Sequence, residues 1–73
     1  MSMMTMPFTP EVRYAELSYE QKREIRARLD WLYDCKHGCY IHDHSDHSIA
    51  AEVGVPWSLI RYVRERDYGH LAP

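Results

Sequence analysis

The chain has 73 residues, the size of one domain and close to the lower limit for a self-sufficient hydrophobic core. Its apolar fraction of 45% argues against wholesale disorder, and its apolar runs are far shorter than the roughly 20 residues of a membrane span. A net charge of −2 gives no overall attraction for nucleic acid, so a DNA-binding face would have to be a local patch. Residues 1–7 lack the basic start and apolar core of a signal peptide, and we expect a cytoplasmic protein that contacts no membrane.

Residues 1–17 are predicted to form a flexible N-terminal arm, because the first ten residues hold four Met, two Pro and no charged side chain. The first helix is predicted over residues 19–36. Ser18 and Gln21 have the spacing of a capping box, and Gly38 suits the left-handed position after a last helical turn. The apolar residues at helical spacing, which predict the buried stripe of this helix, are Ile25, Leu29 and Leu32.

A cluster of cysteine and histidine follows, partly inside a loop predicted over residues 39–45. Thiolates and imidazoles are ligands that zinc prefers, and a small domain gains much stability from one metal ion. A zinc site could be formed by Cys35, Cys39, His42 and either His44 or His47. The spacing differs from that of common zinc motifs, so a polar histidine-rich loop with two buried thiols is the alternative interpretation.

The segment from residue 46 to residue 68 has the spacing of a helix-turn-helix. A second helix is predicted over residues 46–53, capped by Ser45 or Asp46, and a third over residues 57–68. Gly54 supplies the positive φ of a sharp turn between them, and Val55 is expected to plug the inside of that turn. The apolar residues predicted to pack against the first helix are Ile49, Val53, Ile60 and Val63.

The predicted fold is therefore all-α, a small three-helix bundle that contains a helix-turn-helix. Residues 18–69 form its domain, and residues 70–73 form a short tail. In a protein of this size, such a unit commonly places its second helix in the major groove of DNA.

The segment from Ile49 to Tyr62 resembles the helix-turn-helix DNA-binding family, as found in small phage, mobile-element or bacterial regulators. Gly54-Val55 followed by Ile60-Arg61-Tyr62 is similar to the DNA-contacting segment of MerR-type and excisionase-like proteins. The resemblance implies a DNA-contacting role for Arg61 and Tyr62. It does not extend further, since a long helix precedes the motif and there is no room for a wing after Gly69.

Sequence-specific recognition of double-stranded DNA by a transcriptional regulator is the function that this pattern predicts. Arg61 is the best candidate for a base contact, because a guanidinium can bond both acceptors of guanine. Arg64 and Arg66 are expected to contact phosphate. The full set of residues predicted to face the DNA is Trp57, Ser58, Arg61, Tyr62, Arg64 and Arg66. The alternative is a bundle whose arginines merely solvate an outer face.

Catalysis is not expected, because no phosphate-binding loop or paired nucleophile and base stands out. A small protein-binding adaptor or inhibitor on the same scaffold is the second functional hypothesis, favoured by the acidic balance and by Trp57. One helix offers few phosphate contacts, so we expect a homodimer on two half-sites. Candidate dimer contacts are residues 1–8, the flank of the first helix around Trp31, and the tail after Gly69.

Overall fold

The computed structural model describes residues 10–72, which form four helices and one two-stranded antiparallel sheet. The helices are α1 (Pro10–Ala15), α2 (Tyr19–Leu32), α3 (Asp46–Val53) and α4 (Trp57–Asp67). The strands are β1 (Tyr33–Asp34) and β2 (Cys39–Tyr40), with Tyr33 opposite Tyr40 and Asp34 opposite Cys39. The fold is mostly helical, as predicted, but the prediction of a purely α-helical bundle missed both the hairpin and α1.

Helix α1 lies inside the segment that was predicted to be a flexible arm. Residues 1–9 of that arm lie outside the described residues, whereas Pro10–Ala15 are helical. The helix packs on α4, where the rings of Tyr14 and Tyr62 are 6.3 Å apart. An isolated six-residue helix is not stable in water, so α1 depends on this tertiary contact, which sequence periodicity does not reveal.

Helix α2 begins where the sequence predicted but ends four residues early. The Ser18–Gln21 capping box is present, with each side chain bonded to the other residue's backbone N–H. At the other end, Tyr33 leaves the helix with extended φ and ψ and starts β1. Its ring is buried and its hydroxyl donates to the His70 carbonyl at 2.9 Å. Gly38 does take a positive φ of 68°, but in the hairpin turn instead of a helix end.

The hydrophobic core is formed by the residues that the helical spacing singled out. Ile25, Leu29, Ile49, Ile60 and Val63 are fully buried. Leu32 and Val53 are half-buried against them, and Tyr33, Ala50 and Leu59 complete the buried apolar set. The prediction that these residues are buried together is therefore confirmed, and Tyr33 of the hairpin joins the same cluster.

The residues after α4 are bound to the hairpin. The backbone N–H of Ala72 donates to the Gly38 carbonyl at 2.7 Å. A Cβ at Gly38 would lie 3.1 Å from that same nitrogen, a tighter contact than usual, and the positive φ of 68° also favours a glycine here. The predicted tail is thus packed along the turn as far as Ala72, with Pro73 outside the described residues. Within residues 10–72, no helix is both long enough and apolar enough to cross a membrane.

Candidate functional site

The turn between α3 and α4 has the geometry that its sequence predicted. Gly54 ends α3 with φ 84° and ψ 38°, a conformation that an L-residue adopts only with strain. The N–H groups of Gly54 and Val55 both donate to the Ala50 carbonyl, at 2.8 and 3.1 Å. Val55 packs against the core, and Pro56 precedes the first turn of α4 with φ −64°. The three-residue turn therefore holds α4 in one orientation against α3.

Helix α4 carries an outer face beside its buried one. Trp57 is 42% exposed, and its indole stacks on the His47 ring with centroids 4.6 Å apart and planes inclined by 23°. A shallow depression of about 200 Å³ follows along the helix. Its lining residues are Ser58, Arg61, Tyr62 and Glu65. Five of the six residues predicted to face DNA remain at least partly accessible, namely Trp57, Ser58, Arg61, Tyr62 and Arg66.

Arg61 is the most exposed cation on this face. Its side chain is 54% exposed, and its Nε donates to Glu65 Oε2 at 3.1 Å. Its two terminal nitrogens make no hydrogen bond within residues 10–72 and remain available for a bidentate contact. Burial opposes ionisation of Glu65, but the hydrogen bond and charge of Arg61, with His70 nearby, lower the pKa of Glu65. An anion therefore lies beside the best candidate for a base contact, a feature that the sequence interpretation did not weigh.

The position of Arg64 differs from the predicted one. It was expected on the outer face in contact with phosphate, yet it is only 2% exposed. Its Nε and one terminal nitrogen donate to the two carboxylate oxygens of Asp46, at 2.9 and 2.8 Å, and its other terminal nitrogen donates to the Gly69 carbonyl. The Tyr40 hydroxyl donates to the same carboxylate. Arg64 is thus a structural cation, and the prediction of a phosphate contact by this side chain is wrong.

Arg66 is exposed at the edge of α4 between two aromatic rings. Its guanidinium carbon lies 5.3 Å from the centre of the Tyr14 ring and 5.1 Å from that of Tyr62. It donates to Asp67 through two nitrogens and to the Tyr62 hydroxyl at 3.2 Å. The hydrogen bonding to Asp67 is the main reason that the pKa of Arg66 is raised. The side chain is ordered by these contacts and still faces solvent.

The cysteine and histidine residues do not form the zinc site considered from the sequence. Among residues 10–72, no group of three or more His, Cys, Asp or Glu side chains is placed to hold a metal ion. Cys35 and Cys39 are exposed on the hairpin as free thiols, which also contradicts the alternative that both are buried. His47 is held against Trp57 on α4. The four proposed ligands are therefore not brought together.

Two important side chains escaped the sequence interpretation. Asp46 was considered only as a helix cap, whereas it is the buried partner of Arg64, eighteen positions away. Ser45 provides the cap, in a reciprocal pair with Ser48. Tyr14 lies on α1, which was not predicted at all. Neither the Asp46–Arg64 ion pair nor the Tyr14–Tyr62 contact has a local sequence signal, because each depends on how elements distant in sequence pack.

The chain matches no family model, no curated protein and no solved structure.

Proposed function

We propose that the chain is a sequence-specific DNA-binding protein, a small transcriptional regulator that inserts α4 into the major groove as the second helix of a helix-turn-helix. The observation that carries this proposal is the pairing of a tight glycine turn with an α4 face that stays open to solvent. Helices α3 and α4 bury their inner faces together, while Trp57 and Arg61 are exposed. Ser58 and Tyr62 are half-buried beside them, with the Tyr62 ring against Tyr14 of α1. This is the arrangement by which a helix-turn-helix presents side chains to base edges.

The roles of the outer residues follow from their chemistry. Arg61 bonds the N7 and O6 acceptors of a guanine through its terminal nitrogens. Glu65 keeps the stem of Arg61 extended along the helix through the Nε contact, and its free acceptor capacity suits a cytosine amino group. Ser58 and Tyr62 flank Arg61 and contact bases or phosphate, while Arg66 contacts phosphate. Arg64 has no part in DNA contact.

A homodimer belongs to the same proposal. One α4 supplies few phosphate contacts, and two copies on half-sites about one DNA turn apart would double them. Of the three dimer contacts considered, the tail is engaged with the hairpin at Gly38, and residues 1–8 lie outside the described residues. Trp31 is 79% exposed on α2 and is the candidate that the described residues leave accessible.

The experiment is selection of binding sites from random duplexes, followed by titration of wild type and an Arg61→Ala variant. We expect the variant to weaken the selected site by about 1–3 kcal/mol and to relax preference at one base pair. Arg28→Ala is the matched control, since Arg28 pairs with Glu24 and Glu52 on the α2–α3 side. If Arg61→Ala and Arg28→Ala bind selected and random duplexes alike, the assigned role of α4 is wrong.

A protein-binding adaptor is the second candidate, and one observation favours it. Trp31 is largely exposed on a chain of negative net charge, and tryptophan is a frequent anchor of protein interfaces. Affinity for duplex DNA that falls with added salt separates the two functions, because an adaptor has no counterion-release term.

A further inference from the structure

A basic surface lies between α2 and the C-terminal end of α4, outside the face assigned to base contacts. Its four cations are Lys22, Arg23, Arg26 and Arg66, which we call the basic cluster. The first three line a groove of about 380 Å³ on α2, together with the exposed ring of Tyr19. None of the three α2 cations was assigned a role by the sequence pattern.

The carboxylates at this surface are fewer than the cations. Asp67 Oδ2 accepts from Arg26 at 2.7 Å and from Arg66 at 2.8 Å, so one carboxylate is shared by two guanidinium groups. Asp30, which also lines the groove, accepts from the Tyr68 hydroxyl at 2.6 Å. Lys22 and Arg23 make no ion pair within residues 10–72. Four cations against two carboxylates make the groove lining together with Arg66 and Asp67 net positive, although exposed Glu20 and Glu24 lie at neighbouring positions of α2 and the whole chain carries −2.

The basic cluster is continuous with the outer face of α4. Lys22 Nζ lies 5.4 Å from the centre of the Tyr14 ring, and Arg66 lies on the same ring at 5.3 Å. The Tyr14 ring in turn packs against Tyr62, which belongs to the proposed base-contacting face. The tyrosine pair therefore joins the cations of α2 to α4. A duplex whose major groove holds α4 must carry its backbone along one edge of that helix.

We propose that the basic cluster binds the phosphodiester backbone that borders the groove entered by α4. This inference rests on the proposed function and adds the partner surface that Arg64 cannot supply. Arginine offers a planar fork of donors that matches phosphate oxygens, and lysine contributes a mobile point charge. The chemistry carries no base preference, so the cluster contributes affinity and register to every sequence alike.

The test uses the full chain with the double variant Lys22→Gln/Arg23→Gln, since neither side chain forms an ion pair among the described residues. Duplexes with the selected site and with scrambled sequence are titrated from about 0.05 to 0.2 M salt. We expect the slope of log affinity against log salt to shrink by about 0.9 for each phosphate that the variant no longer neutralises. Affinity for both duplexes should fall by a similar factor, roughly ten-fold or more at about 0.1 M salt. Because the Lys22 contact with the Tyr14 ring is a single exposed cation–π contact, the melting temperature should fall by no more than a few degrees.

The matched control is Lys36→Gln, which removes a charge from the exposed hairpin turn and should leave the slope unchanged. If wild type binds DNA but the double variant keeps the wild-type slope, the inference on the basic cluster fails while the proposed function stands. If wild type binds no duplex, both fail. Titration with polyglutamate is the remaining comparison, and equal affinity for that peptide would assign the groove to an acidic protein partner and overturn the inference.

Discussion

Arg64 and Asp46 form a two-pronged ion pair that joins the last turns of α4 to the first turn of α3. The pair also gathers Tyr40 of β2 and the Gly69 carbonyl, so four segments of the chain meet at one buried ion pair. The hydrogen bonding to Asp46 is the chief cause of a raised Arg64 pKa. The ion pair therefore ties α4 to α3, to β2 and to the residues that follow α4.

Arg64→Met should therefore lower the stability of the fold, whether or not a ligand is present. It leaves the Asp46 carboxylate buried beside Tyr40 without its cation, and breaking a buried pair in this way typically lowers the free energy of unfolding by about 3–5 kcal/mol. Urea unfolding followed by circular dichroism measures the change. Arg61→Ala, at an exposed position, should stay within about 0.5 kcal/mol of wild type. Equal midpoints for Arg64→Met and wild type would show that the pair is not buried in solution.

Acid should destabilise the fold between about pH 4 and pH 2. The hydrogen bond from Arg66 lowers the pKa of Asp67 to about 2, burial opposes the shift, and a second bond from Arg26 adds to it. Burial alone would raise the pKa of Asp46, but hydrogen bonds from Arg64 and Tyr40 outweigh it and lower the pKa. A lowered pKa in the folded state means stability that is present above the unfolded value of about 4 and is lost as pH falls. Melting temperatures across pH 2–7 test this, and Asp67→Asn should flatten part of the curve.

Gly54→Ala should destabilise through the backbone and not through crowding. A Cβ at this position would meet nothing within 4 Å, so the penalty comes from the positive φ alone and should be about 1–2 kcal/mol. Gly54→Asn should lower the free energy of unfolding by less than Gly54→Ala does, since asparagine tolerates the left-handed region better than alanine. Chemical denaturation of the three proteins gives the order, and an alanine variant as stable as wild type would contradict the left-handed turn.

Ser45→Ala should cost about 1 kcal/mol of stability by removing the cap of α3. The Ser45 hydroxyl accepts from the Ser48 N–H at 3.1 Å, and the reciprocal bond from the Ser45 N–H to Ser48 measures 2.9 Å. Ser58→Ala is the matched control, because Ser58 lies on α4 and caps no helix. Thermal unfolding of both variants should separate them by several degrees.

The parts of the fold that could be predicted are those with a local physical cause. The Ser18 cap, the Gly54 turn and the buried stripes of α2 and α4 each follow from a few neighbouring residues. The hairpin could not be predicted, because Tyr33 leaves α2 to bury its ring against Tyr40 and Tyr68 from distant segments. Arg64 and Arg66 are both arginines on one helix, and only packing decides that the first is buried and the second exposed.

The two tryptophans lie on different helices, so their fluorescence can report on two separate surfaces of the protein. Trp57 lies at the start of α4, stacked on His47, whereas Trp31 lies exposed on α2. A Trp31→Phe variant therefore emits only from α4, and a Trp57→Phe variant only from α2. A ligand that covers α4 changes the emission of the first variant, and self-association through α2 changes that of the second. The two events can be followed in separate cuvettes without an attached dye.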